Sequence, residues 1–338
     1  MIHAYCLRGG ALRRVDMSPA GKGADGEGRV GEERVGEMPA DAVWIDLVNP
    51  DPAEDRFVEG ALGIPIPTHE EMAEIEPSSR LRVENEAQYM TGSLVLGSEG
   101  ERPTLSEVSF ILFRGRLLTV RYGEFKAFSL VLAQLERGCA ESLRGDQIFM
   151  SLLDAIVDRT ADTIERVASD IDLISRRIFE RDNGRDSQRY RAILRQIGRK
   201  GDLASKARES LVSMARIVTF LAAESEGRRP AKDQRMALKS LQRDLSSLTN
   251  HVSYLGDKIT FLLDATLGMV SIEQNNIIKI FAVLSVVFMP PTLIASIYGM
   301  NFQYMPELAD HWGYPLALVA MLVAAIGPYL FFKWKRWL

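Results

Sequence analysis

Cysteine and histidine are scarce in this 338-residue chain, with two and four copies. Cys6 and Cys139 stand far apart and the histidines are scattered, so the sequence offers no disulfide framework and no histidine–cysteine metal cluster. Two thiols fit a reducing compartment. No nucleophile stands beside a base in a recognisable motif, which argues against a hydrolytic enzyme. Gly21-Lys22-Gly23 lacks the spacing of a nucleotide-binding loop, and no organic cofactor is expected. The opening "MIHAYCLRGGALRRVDM" lacks the basic head, apolar centre and small-residue cleavage site of a signal peptide, so the large N-terminal part is expected in the cytosol. Acidic residues outnumber Lys and Arg by 45 to 41, and no nucleic-acid partner is expected.

The most informative absence is that of charge from residues 280–306 and again from 312–332. A helix of about 20 apolar residues spans a bilayer core of about 30 Å, and both runs reach that length. The sequence therefore predicts a transmembrane domain over 277–338, with spans near 277–297 and 313–332, a loop at 298–312 and a basic tail at 333–338. Lys279 precedes the first span, and Lys333, Lys335 and Arg336 follow the second. The loop carries Glu307 and Asp310 without Lys or Arg, so both termini are expected in the cytoplasm of a multi-pass cell-membrane protein. Trp312, Tyr314, Trp334 and Trp337 suit the interfacial belts.

Residues 1–140 read as an α/β domain. Strands are expected at 42–47, 87–96, 105–113 and 116–122, the last two joined at Arg114-Gly115. Helices are expected after caps at Asp51 and Thr68. The stretch 18–38, rich in Gly and charge, reads as a flexible loop or bulging hairpin. Over 141–276 the period becomes that of long helices: Ile164, Val167, Ile171, Ile174 and Ile178, a break at 183–186, then Tyr190, Ile193, Ile197, Ala204, Ala207, Leu211, Met214, Val218 and Leu221. After a second break at 226–233 comes a seam of Leu238, Leu241, Leu245, Leu248, Val252, Leu255, Ile259 and Leu262, the three-four spacing of a coiled-coil-like stalk. One helix running from about Lys232 to Ile297 would be roughly 100 Å long at 1.5 Å per residue. The predicted fold is thus an α+β membrane protein: a cytoplasmic α/β domain, coiled-coil-like stalk helices and two C-terminal transmembrane helices.

Helical arithmetic then sorts the polar residues of the first span. Ser285, Thr292 and Ser296 fall within about 40° of one another, Ile278, Met289 and Gly299 share their face, and Asn275 lies near its edge. Asp257, Asp264 and Ser271 extend that face towards the stalk. Hydroxyls in membrane helices also bond backbone carbonyls or pack helices together, so a single one means little. A continuous line favours a water-filled path, and Pro290-Pro291 frees carbonyls one turn earlier that protein or water must satisfy. Two helices cannot enclose a path. An oligomer with this helix on its axis is expected. The line holds no Lys or Arg and the loop is acidic, so the traveller is a cation. Amide and hydroxyl oxygens can hold the water shell of Mg²⁺ without stripping it, and Asn301 at the outer mouth is placed to do so.

"YGMN" at 298–301, followed by "FQYMPEL" and "WGYP", with "IEQNNIIKIFAVLSVVFMPPTLIASI" before and "KWKRWL" after, closely resembles the CorA family of magnesium and cobalt transporters. The resemblance is dense from about residue 255 to the end and weaker over the α/β domain, where it rests on "AVWIDLVNP". It implies a homopentameric funnel that imports hydrated Mg²⁺, with Co²⁺ and Ni²⁺ as further divalent cargo. It implies a first ion site at Gly299, Met300 and Asn301, and pore-lining roles for Asn275, Ile278, Phe281, Met289 and Thr292. Intracellular Mg²⁺ is implied as the signal that closes the pore, with Asp257 and Asp264 as candidate ligands or as plain solvated stalk carboxylates. The glycine-rich insert and the lack of a clear acidic pair at the subunit interface depart from the pattern. A zinc-moving branch of the same superfamily is the nearest rival, and a membrane-anchored coiled-coil scaffold without transport is the alternative of a different class.

Overall fold

The computed structural model describes residues 1–17, 38–74, 76–100, 102–140, 142–180, 187–226, 232–300 and 311–335. Among them run seven strands: β1 (Ile2–Arg8), β2 (Ala11–Met17), β3 (Ala42–Val48), β4 (Leu81–Glu84), β5 (Ala87–Leu96), β6 (Thr104–Phe113) and β7 (Arg116–Arg121). The helices are α1 (Pro52–Leu62), α2 (His69–Ala73), α3 (Pro77–Arg80), α4 (Lys126–Arg137), α5 (Gly145–Phe179), α6 (Ser187–Glu226), α7 (Lys232–Tyr298) and α8 (Gly313–Trp334). Contacts divide the chain into two units, Met1–Arg177 with Arg195–Phe261, and Ile178–Leu194 with Leu262–Leu338.

The strands form one sheet in the order β2-β1-β3-β7-β6-β5-β4, with β3 and β7 parallel and all other neighbours antiparallel. The expected turn at Arg114-Gly115 has positive φ at both residues, as does Gly9-Gly10 between β1 and β2. Two such residues in a row match the twist of a tight hairpin. The expected caps are present too: Asp51 accepts from the amides of Ala53 and Glu54, and Thr68 accepts from that of Glu71, with Glu54 and Glu71 reaching back. The sequence reading had assigned neither the β1–β2 hairpin nor β4 and α4. The glycine-rich stretch and both helix breaks fall wholly or largely outside the described residues.

Alternation along the strands gives the sheet two different faces. Ile45, Leu47, Ile111, Leu118 and Val120 point to a core closed by Val58 of α1 and Met72 of α2. The opposite face is aromatic: Tyr5 stacks on Trp44 at 4.8 Å and Phe110 lies 4.9 Å from Phe149 of α5, with Phe128 of α4 beside them. Burying each such ring contributes about 1.5–3 kcal/mol.

Inside the aromatic layer lies an ion pair. Arg121 donates to both Asp46 carboxylate oxygens at 2.9–3.2 Å, and the two side chains are 7% and 2% exposed. The Thr119 hydroxyl donates to Asp46 Oδ1 at 2.6 Å and accepts from the Trp44 indole at 3.0 Å, while Arg121 spends a further donor on the Gly123 carbonyl at 2.6 Å. Pairing plus hydrogen bonds on the remaining sites is what makes a buried charge tolerable.

On the long helices, Ile164, Val167, Ile171 and Ile174 are buried on α5, Ala207, Leu211, Met214 and Val218 on α6, and Leu238, Leu241, Leu245, Val252 and Leu255 on α7, as their spacing predicts. Tyr190, Leu221, Leu248 and Ile259 are half-buried. Lys200 pairs with Asp170 at 2.6 Å and Lys258 pairs with Asp172, tying α6 and α7 to α5. Helix α6 sits close on β5, where a side chain at Gly92 would collide with Met214 and Ile217 and where Ser213 accepts from the Ser93 amide at 2.9 Å.

Two stability tests follow from this unit. Asp46→Ala strands a buried guanidinium and is expected to cost about 3–5 kcal/mol, whereas the double variant Asp46→Leu with Arg121→Met should recover most of that loss. The urea midpoint of Trp44 fluorescence measures both. Asp55 has one buried oxygen without a hydrogen-bond partner, and burial, followed by the carboxylates of Glu59, Glu54 and Asp51, pushes its pKa from 3.8 up to about 6. An acid raised in the folded state stabilises below its unfolded pKa and loses that contribution as pH rises through the folded one. Asp55→Asn should therefore stabilise by about 1 kcal/mol above pH 7, after discounting for solvent screening, and change nothing below about pH 4.

Candidate ion pathway

The apolar part of α7 and the whole of α8 are long and apolar enough to cross a membrane. Helix α7 passes through Pro290 and Pro291 without a break. Each proline lacks a backbone donor, so the ladder bonds to the carbonyls of Val286 and Val287 are absent. The Thr292 hydroxyl donates to the Phe288 carbonyl at 2.7 Å, and the Ser285 hydroxyl donates to Phe281 at 2.9 Å. These are the local back-bonds that hydroxyls make in apolar surroundings, and they leave the hydroxyl lone pairs available to water or an ion's hydration shell.

Asn275, Ile278, Phe281, Ser285, Met289, Thr292 and Ser296 are all exposed in the single chain. Among the described residues nothing in the single chain covers the line. Asp264 is exposed on the same helix, and Asp257, which belongs to the other unit, is exposed as well. Among the described residues no group of three or more His, Cys, Asp or Glu side chains could hold a metal, so these two aspartates are not gathered with a third ligand within one chain. The helical phase also admits two residues that the sequence reading passed over, Gln274 and Leu267, both exposed. Their signal was the same helical arithmetic that placed Ser285 and Ile278 on this face.

The helix ends at Tyr298, and Gly299 and Met300 turn out of it with the Gly299 amide on the Ala295 carbonyl at 3.0 Å. A Cβ at 299 would lie 3.1 Å from that carbonyl oxygen, tight enough to favour glycine there. Gly299 and Met300 are exposed. Asn301, Glu307 and Asp310 lie outside the described residues. Away from the line, burial and the carboxylates of Asp154, Asp162 and Asp244 push the Asp158 pKa up, while Lys258 holds that of Asp172 down.

A sheet-bearing N-terminal domain, long helices and two C-terminal helices apolar enough to cross a membrane fit a protein of the membrane-transporter class. The sequence model of the family described as CorA-like Mg²⁺ transporter protein matches residues 39–336, and the chain belongs to that family. It is 37% identical over 298 residues to the magnesium transport protein CorA of Salmonella typhimurium, covering 88% of this chain and 92% of that protein. The corresponding Escherichia coli protein is 37% identical over 297 residues, with the same coverage. The complete structure of the CorA magnesium transporter from Methanocaldococcus jannaschii superposes with a TM-score of 0.71 at 18% identity, covering 100% of this chain and 99% of that one, a likeness of fold.

Accessibility along α7 tests the pathway directly. Cysteines introduced as Ser285→Cys, Thr292→Cys and Ser296→Cys in membranes should react with a water-soluble thiol reagent, and Ile294→Cys, on the opposite face, should not. Equal labelling at all four positions would contradict a single wetted face.

Proposed function

We propose that this chain imports hydrated Mg²⁺ across the cell membrane through a path lined by α7 of several subunits. The observation that carries this reading is that every described residue of the polar line is uncovered in one chain, in a family of Mg²⁺ transporters. A homopentamer with α7 on the axis is the assembly that the family resemblance implies. In this reading residues 1–140 form the cytoplasmic α/β domain, 141–276 the helical stalk and 277–338 the pore domain, with both termini in the cytoplasm.

The chemistry suits a cation that keeps its water. Mg²⁺ demands near-octahedral oxygen coordination and dehydrates reluctantly. Asn301, with Gly299 and Met300, offers carboxamide and backbone carbonyl groups that hydrogen-bond to coordinated water instead of replacing it. Glu307 and Asp310 raise the local cation concentration outside. Ser285, Thr292 and Ser296 continue the wetted line, Asn275 receives the ion near the inner end, and Ile278, Phe281 and Met289 form rings that dewet when closed. An inside-negative potential gives a divalent cation about 4.6 kcal/mol per 100 mV of inward drive. Co²⁺ and Ni²⁺ share the octahedral hydrated form and are expected as further cargo. Intracellular Mg²⁺ between subunits, with Asp257 and Asp264 as candidate ligands, closes the pore by screening carboxylates that otherwise repel one another.

Proteoliposomes that carry a Mg²⁺-sensitive dye and an imposed inside-negative potential test this reading. Wild-type protein should admit Mg²⁺, Asn301→Ala should assemble yet admit none, and Mg²⁺ preloaded on the cytoplasmic side should slow entry. Zn²⁺ entry without Mg²⁺ entry would move the assignment to the zinc branch, and no entry of either ion with well-assembled protein would leave the scaffold.

A further inference from the structure

The end of the α5–α6 hairpin is basic and plays no part in the pathway. Between Arg176 and Lys200 the described residues hold seven Lys or Arg and one carboxylate, Glu180, and residues 181–186 add two of each sign. The chain as a whole has the opposite bias, with 45 acidic residues to 41 basic ones. Some of this positive charge is met within the chain: Lys200 pairs with Asp170, and Arg177, Arg189 and Arg199 each have a partner. Arg176, Arg191 and Arg195 are exposed and form no ion pair among the described residues. Asp172, whose charge Arg176 feels, is already bonded to Lys258.

The place of this end in the fold supplies what the charge could face. Ile178–Leu194 belongs to the same compact unit as Leu262–Leu338, the stretch that holds both apolar segments. Helix α5 runs parallel to α7, since Asp172 pairs with Lys258 and Asp158 feels Asp244 at the same separation of 86 residues. Helix α6 runs back from that end, as the Lys200–Asp170 pair requires. Continued to the end of α5, the register puts Phe179 level with Ala265, about 20 Å along α7 from Lys279, the last charge before the first span. The headgroup layer takes up about 5–8 Å of that gap. Arginine stems extend across several more, which brings their guanidinium groups within a Debye length, about 8 Å, of lipid phosphates. Phe179, 55% exposed, adds a ring to the arginines, and such pairs of aromatic and basic residues mark surfaces that rest on a bilayer.

We propose that this end of the hairpin docks on anionic phospholipid headgroups of the cytoplasmic leaflet, with Arg176, Arg191 and Arg195 as its contacts. The inference rests on the reading above, in which α7 and α8 cross the membrane and the soluble portion lies in the cytoplasm, where the leaflet surface is negative. A guanidinium group pairs with a phosphate through two hydrogen bonds. The carboxylates of α7 in the same unit do not compete, since Asp264 and Glu273 form no ion pair among the described residues. Docking ties the foot of the stalk to the bilayer beside the first span.

Full-length protein in lipid nanodiscs tests the contact. A fluorophore is attached to the thiol of Ala192→Cys, an exposed position on α6, in a Cys139→Ala background that leaves only the buried Cys6. Energy transfer to an acceptor on a trace of the lipid headgroups reports the docked fraction. Discs of phosphatidylcholine are compared with discs in which about one-third of the lipid is phosphatidylglycerol, which supplies the negative surface. Transfer should rise in the anionic discs and fall back in about 1 M salt, where the Debye length is about 3 Å. Arg191→Gln and Arg195→Gln should each lower the docked-to-undocked ratio about fivefold. Arg235→Gln, an exposed change near the start of α7, should leave it unchanged. The proposal is overturned by equal transfer in the two kinds of disc, which would give the arginines to protein carboxylates or to solvent. It is also overturned if the two arginine variants leave the ratio unchanged, or if Arg235→Gln lowers it equally, which would mean diffuse attraction. Protein that does not enter discs would overturn the membrane reading and this contact together. Transport is not measured, so a chain that docks but admits no Mg²⁺ keeps the contact and loses the ion, and one that admits Mg²⁺ with equal transfer loses the contact alone.

Discussion

A peptide group that leaves water for hydrocarbon must keep its hydrogen bond, and α7 is the element on which that constraint bears hardest. The same helix runs from a leucine seam that packs against neighbouring helices to an apolar span that ends at Tyr298. Pro290 and Pro291 remove two donors from its ladder, yet the helix does not break. Thr292 and Ser285 turn their hydroxyls back onto backbone carbonyls in the same stretch. A helix that continues past these two missing bonds is what allows the side chains of α7 to be sorted by angle at all. Without it a line of Asn, Ser and Thr would have no common face.

Polar groups are handled differently in the sheet unit. There Asp46 and Arg121 are buried together in an aromatic layer, each with hydrogen bonds beyond the pair. In the span the hydroxyls are uncharged and the larger polar groups stand uncovered in the single chain. A buried pair closes on itself, whereas an uncovered line invites water or a second copy. Glu99 falls between these cases, since it is half-exposed and paired with Lys126 and Arg159, the second of which also pairs with Asp162.

Local periodicity carried much of the fold. Leu238, Leu241, Leu245, Val252 and Leu255 are buried because a three-four rhythm can close only one face of a helix. The caps at Asp51 and Thr68 were legible because an N-cap acts within four residues. The β1–β2 hairpin was not, because Arg13 and Arg14 break the apolar alternation of an edge strand that shows one face to water. Gln274 and Leu267 share the angular phase of Ser285 on α7, so both were within reach of the same arithmetic.

By itself, then, the sequence determined the helical seams, the two apolar spans, the capped helices of the first unit and the family, all of which depend on neighbours within a few turns of chain. The tertiary structure alone decided the Asp46–Arg121 pair, 75 residues apart, and the gathering of Glu99 with Lys126 and Arg159, 27 and 60 residues away. Those meetings depend on which strands lie side by side and how helices cover them. No local spacing encodes that, because the separation of two charges along a chain says nothing of their distance until the sheet between them has formed.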